Sequence, residues 1–163
     1  MTSEPGNNSE YRRAWSRFAT GVTIITSSEP GGGAHGMTAN GVTSVSLDPP
    51  LALICVAHSR NSFSLIDESG EFGISVLAQS QKSVAMHFAK DPAERGPTPD
   101  DMFVKLGSGP AVISDALANF TCEVISRHIE GDHTIFVGRV KEFSTQEGVP
   151  LIFYDASFPV LEL

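Results

Sequence analysis

This chain is short of positive charge. Eleven lysines and arginines stand against 19 acidic residues, a formal net charge of −8 at pH 7. A surface of that sign repels phosphate backbones and anionic lipid, which argues against a general nucleic-acid binder and a membrane-surface protein. Any phosphate must be held by local donors against the overall field. Cysteine is also sparse: Cys55 and Cys122 are the 2 in 163 residues. They lack metal-ligand spacing, cannot make a disulfide framework, and lie in apolar runs, so they read as buried free thiols. His35, His58, His87 and His128 show no ligand spacing either, and no metal is expected. No apolar run approaches about 18 residues, so no transmembrane helix is expected. Residues 1–9 are polar and lack the apolar segment of a secretory signal; they read as a disordered tail, with the cytoplasm as the expected compartment. One domain is expected over residues 10–163, large enough for a sizeable core.

Two nucleotide motifs are missing as well. No Gly-x-Gly-x-x-Gly opens a helix after a strand, which disfavours a Rossmann site. Gly31-Gly32-Gly33 is not followed by Lys-Ser/Thr and a helix, so it reads as a hairpin tip rather than a phosphate loop. What is present is mostly strand. Residues 22–26 and 34–42 flank the glycines as a hairpin. Residues 51–57 form a continuous apolar run behind Asp48-Pro49-Pro50, as a central strand does. Further strands are expected at 72–77, 116–129, 134–143 and 151–154. Helical spacing places a first helix over 9–19, with Ser9 as N-cap, Gly21 as stop, and Trp15 and Phe18 sealing a barrel end or a subunit contact. Short helices are expected over 60–69, starting at Ser59 or Asn61 and ending at Gly70, and over 80–89. Residues 90–110, rich in proline, read as a surface loop that either covers a site or is a plain excursion. Six or more strands with hairpin connections and few helices predict an antiparallel barrel.

Chemistry concentrates in three places. At Gly131-Asp132-His133 a turn delivers an acid and a histidine to the mouth of a strand. There the histidine can serve as a substrate contact or as a hydrogen-bonded structural residue. In the strand that follows, Ile135 and Val137 face one way and Phe136 and Gly138 the other. From His35 to Pro50 the chain is crowded with small and hydroxyl residues, which let a flat ligand lie against the backbone. Ser59-Arg60-Asn61-Ser62 opens a predicted helix, a ready phosphate site or an ordinary N-cap. Bracketing a central strand, these last two segments favour a phosphorylated planar cofactor.

The order of these segments resembles the short-chain flavin reductase family, whose members feed reduced flavin to two-component monooxygenases. The similarity rests on residues 18–26, 36–50, 69–77 and 131–138 and spans about 10–160. It implies a mainly β fold, a split antiparallel β-barrel of the FMN-binding type with short flanking helices, acting as a cytoplasmic homodimer. It implies an NAD(P)H-dependent flavin reductase that passes hydride from NADH or NADPH to noncovalent FMN or FAD and supplies a partner monooxygenase. It places Thr38, Ala39, Asn40, Ser44 and Ser46 along the isoalloxazine, with Cys55, Val56 and Ala57 as its floor. Ser59, Asn61 and Ser62 would hold phosphate, and Phe88 would pack near the flavin. His133, fixed by Asp132, would serve the nicotinamide side, where Phe158 either stacks or packs in the core. Asp155 stands where relatives often carry a positive group, which counts against a phosphate contact there and against NADPH. Two other readings stay open: a split-barrel flavoprotein that keeps its flavin and reduces a quinone, ferric chelate or corrinoid, and a non-catalytic flavin-binding module.

Overall fold

The computed structural model describes residues 8–162. The tail expected over 1–9 lies outside the described residues as far as position 7, whereas Asn8 and Ser9 already belong to helix α1 (Asn8–Trp15). There follow β1 (Thr20–Gly21), β2 (Thr23–Ser28), β3 (Ala34–Ala39), β4 (Val42–Leu47) and β5 (Pro50–Ala57). Helix α2 (Asn61–Ser69), β6 (Glu71–Val76) and α3 (Lys82–Ala89) come next. The short strands β7 (Phe103–Val104) and β8 (Val112–Ile113) precede a long hairpin of β9 (Ala118–Glu130) and β10 (His133–Thr145), and β11 (Ile152–Phe153) closes the series.

Seven strands form one antiparallel sheet in the order β3-β2-β6-β9-β10-β5-β4. Its two edges, β3 and β4, are consecutive in the chain and joined by Asn40-Gly41. The sheet must therefore curl until its edges meet at that corner, where the Cys55 N–H donates to the Gly41 carbonyl at 2.9 Å. No ladder joins β3 to β4 beyond the corner, so the barrel is split, as expected. Ile54, Val56, Phe72, Ile74 and Phe136 fill it, each 2% exposed or less. Gly138 belongs to this core by necessity, because a Cβ there would lie 2.5 Å from the Phe72 ring. A second core, with Ile24, Leu77, Ala85, Phe88, Ile113 and Leu151, packs α3 against the outside of the sheet.

The first helix is shorter than its spacing predicts. It stops at Trp15, and Thr20 and Gly21 pair with Phe153 and Ile152 instead. Tertiary strand pairing and the hydrogen bond from the Asp155 N–H to the Ser16 carbonyl, 3.0 Å, override helical propensity there. Trp15 and Phe18 do not seal the barrel end; they are 58% and 64% exposed. The other helices start one to two residues later than expected, and Gly70 ends α2 in the left-handed conformation at φ 70°. Among the described residues no helix is long and apolar enough to cross a membrane.

Candidate functional site

Strand β5 runs from the turn after β4, past the edge corner at Cys55, to the start of α2, and its burial alternates. Ala52, Ile54 and Val56 face the barrel core, while Leu51, Leu53, Cys55 and Ala57 face outward. Val56 therefore cannot floor a ligand with its side chain, which is wholly buried among the core residues. Cys55 and Ala57 can, and β10 extends their surface. His133 lies opposite Ala57 and Ile135 opposite Cys55, and directly opposed residues share a face of the sheet. Burial pushes the Cys55 thiol up from its ordinary value and that of Cys122 to about 12, so both stay protonated and unreactive at neutral pH.

Gly131, at φ 62°, makes the two-residue turn that sets His133 at the mouth of β10. The imidazole Nδ1 lies 2.7 Å from the Asp132 carboxylate, a contact that orients the ring. That hydrogen bond and the histidine's charge hold the Asp132 carboxyl below its usual range. The turn is tied to the end of β5 by the His58 N–H, which donates to the Asp132 carbonyl at 3.0 Å, and by His58 Nε2, which lies 2.9 Å from the Thr134 hydroxyl.

Along β3, the side chains do not serve a ligand as expected. The Thr38 hydroxyl donates to the Ala85 carbonyl at 2.6 Å, and Ala39 packs on the barrel core. What β3 offers is its free edge: Arg95 Nη1 donates to the Gly36 carbonyl at 3.1 Å on that edge, and strand alternation turns the Thr38 peptide the same way. Asn40, Ser44 and Ser46 line a largely apolar groove of about 670 Å³ with Leu51 and Phe143. A neighbouring pocket of about 380 Å³ joins Asn40 and Cys55 beneath Trp15 and Phe18.

The N-terminus of α2 is the most constrained part. Arg60 occupies the cap position, and neither Ser59 nor Asn61 caps the helix; no side chain satisfies its first N–H groups. Ser59, Asn61 and Ser62 line a cavity of about 40 Å³ with His35, Lys90 and Arg95. Ser62 is 1% exposed, and among the described residues neither its hydroxyl nor the buried Arg95 Nε has a partner. Leaving such groups unpaired costs about 1–3 kcal/mol each. Burial, and then Arg95, pull His35 below its ordinary value against Glu29 at 3.6 Å, so the imidazole is neutral. A helix N-terminus without a side-chain cap, an orphaned hydroxyl and an orphaned guanidinium nitrogen in a space too small for a ring suit one phosphate-sized anion.

Arg95 escaped the sequence reading. It lies in the aperiodic 90–110 loop, and it reaches the site by folding back over Phe88, its guanidinium carbon 5.3 Å from the ring centroid. Phe88 itself is 3% exposed and presses on Gly36, where a Cβ would lie 2.6 Å from its ring. Phe158 takes the packing alternative: its ring centroid is 5.4 Å from that of Phe153, and Lys82 Nζ is 5.4 Å from its centroid. Asp155 is engaged by Arg17 at 3.3 Å and by the Ser16 hydroxyl at 3.2 Å.

Residues 15–162 match the family described as flavin reductase like domain. The chain belongs to the flavin reductase family. It is 44% identical over 154 residues to an NADH-dependent flavin reductase of Rhodococcus sp., covering 93% of this chain and 85% of that protein. Its fold superposes on the NADH:FAD oxidoreductase of Streptomyces globisporus with a TM-score of 0.90 at 32% identity, covering 100% and 98% of the two chains. The styrene monooxygenase flavin reductase of Pseudomonas putida matches with a TM-score of 0.84 at 35% identity, covering 94% and 99%. For a flavin reductase domain the residues present fit the cofactor's phosphate: Ser62 Oγ and Arg95 Nε are buried polar atoms with no partner among the described residues, in a cavity that suits an anion.

Proposed function

We propose that this chain is an NADH:flavin oxidoreductase that binds FMN or FAD noncovalently and supplies the reduced form to a partner monooxygenase. The observation that carries the reading is the phosphate-sized cavity at the N-terminus of α2, with its orphaned Ser62 hydroxyl and Arg95 guanidinium. When bound, flavin supplies the redox chemistry, a hydride acceptor for the nicotinamide of NADH. The protein supplies placement. Ser59, Asn61, Ser62 and Arg95 hold the phosphate. The Thr38 peptide and Asn40 meet the polar edge of the ring, and Cys55 and Ala57 offer small side chains for its face, with Ser44 and Ser46 nearby. Phe88 sets the position of β3 and Arg95. His133, held by Asp132, orients the nicotinamide partner. No protein nucleophile is needed, in keeping with two protonated thiols.

The protein acts as a homodimer in the cytoplasm. Support for a subunit contact comes from apolar side chains left uncovered around the corner groove, Leu47 at 90%, Phe143 at 67% and Phe18 at 64% exposure. A partner oxygenase fits the site because the cavities around the edge corner open to solvent, which favours release of the reduced flavin. Asp155 engages Arg17 and brings a negative charge to that turn, which disfavours a 2′-phosphate there and favours NADH as the donor.

Flavin-free protein should oxidise NADH only when flavin is added. His133→Ala should raise the KM for NADH by about tenfold and shift the flavin Kd by less than about twofold. Parallel loss of flavin affinity and thermal stability would make His133 a structural residue instead.

A further inference from the structure

We propose that the cleft between the β2–β3 hairpin tip and the 92–105 segment receives the adenosine half of FAD, so that the protein prefers FAD to FMN. This rests on the flavin reductase reading and deepens it.

The cleft measures about 690 Å³ and shares His35, Phe88, Pro92 and Arg95 with the small phosphate cavity. Arg95 is thus the partition between the two. Its Nη1 is engaged by the Gly36 carbonyl, while its Nε is buried and unpaired. A phosphate held beside Ser62 stands at the entrance to a space within the usual size of a ligand site, about 300–1,000 Å³. FMN ends at that phosphate. FAD continues with a second phosphate, a ribose and adenine, and a group of that length has this cleft next to it.

The walls suit those parts in turn. Lys105 lines the cleft beyond Arg95, and its ammonium makes only a 3.5 Å contact with the Gly109 carbonyl, leaving donors for a second phosphate. Pro97, Pro99 and Phe103 offer flat apolar surfaces to a purine. Prolines restrict the backbone, so this wall is largely preformed and costs little ordering on binding. Glu29, 47% exposed in its side chain, supplies a carboxylate that can accept from ribose hydroxyls or the adenine amino group. In a chain of net charge −8, Arg60, Lys90, Arg95 and Lys105 gather on the two joined cavities, where the carboxylates among the described lining residues are Glu29 and Asp91.

NADH carries the same adenosine diphosphate unit. The cleft is assigned to FAD because it is entered from the flavin-phosphate cavity. The test titrates flavin-free full-length protein with FMN and with FAD. FAD should bind at least about tenfold more tightly. Gly96→Trp places an indole in the cleft: Gly96 lines it, and a Cβ there meets nothing within 4 Å. That variant should lose at least about tenfold in FAD affinity and less than about twofold in FMN affinity. Lys105→Ala should lose a few-fold for FAD alone. With FMN as acceptor, Gly96→Trp should leave the KM for NADH unchanged. Equal affinity for the two flavins, undisturbed by either variant, overturns the proposal and leaves the reductase reading standing. A raised KM for NADH in Gly96→Trp overturns the assignment to FAD in favour of the nicotinamide dinucleotide. Failure to bind either flavin in the native protein overturns the reductase reading itself.

Discussion

Replacing Arg95 by alanine weakens FMN binding by about 100-fold and leaves riboflavin binding within about twofold. The contrast follows from what Arg95 faces. Its Nε is buried without a partner beside the Ser62 hydroxyl, which is also unpaired, at a helix terminus whose first N–H groups no side chain caps. An anion there gains a charge-assisted hydrogen bond, worth about 1.5–3 kcal/mol, in surroundings shielded from water. About 100-fold corresponds to roughly 2.7 kcal/mol, near the upper end of that range. Riboflavin has no phosphate and gains nothing from the contact, so it controls for damage to the loop that Arg95 ties to Gly36. Arg95→Lys should recover only part of the loss, because an ammonium keeps the charge but not the planar fork that reaches both the anion and the Gly36 carbonyl. Fluorescence titration of flavin-free protein with the two ligands gives the answer. Equal losses for FMN and riboflavin would show that Arg95 holds the loop rather than the phosphate.

Phe136→Ala lowers folding stability by about 3–5 kcal/mol. The side chain is fully buried, lies opposite Ile54 across the β5–β10 ladder and has the Phe63 ring 6.0 Å away. It therefore joins the barrel core to α2. Domains are stable by only about 5–15 kcal/mol, so the variant should unfold at much lower urea concentration with an unchanged slope. Its neighbours Ile135 and Val137 project from the opposite face, where β10 extends the Cys55 and Ala57 surface. The same loss should therefore weaken flavin binding at temperatures where the native protein binds fully. A cost below about 1.5 kcal/mol would mean that the barrel collapses around the missing ring.

The barrel was legible because its strands alternate cleanly. Ile135, Phe136, Val137 and Gly138 divide between the two faces as their order implies, and the hairpins on either side of Gly31-Gly32-Gly33 and Gly131-Asp132 are marked by turn residues. The first helix was misjudged beyond Trp15 because helical spacing is local information, while the pairing of Thr20 with Phe153 spans most of the chain. In the site, Asp132 and His133 were readable as neighbours, and the serines at α2 as a helix opening. The individual roles were harder. Val56, Thr38 and Ala39 belong to the right strands, but their side chains turn into the core or onto α3, a distinction set by the register of a curled sheet. Arg95 left no periodic signal. The only clue was its rarity, an arginine in a proline-rich loop of a chain with 11 basic residues.

This protein should turn NADH over against flavin that comes and goes. The direct measurement is anaerobic: a small amount of flavin-free protein, a large molar excess of FAD, and NADH added while the oxidised flavin absorbance is followed. The whole flavin pool should be bleached, one NADH for each flavin, far beyond the amount of protein present. Bleaching that stops at one flavin per protein, or that never begins, would contradict it.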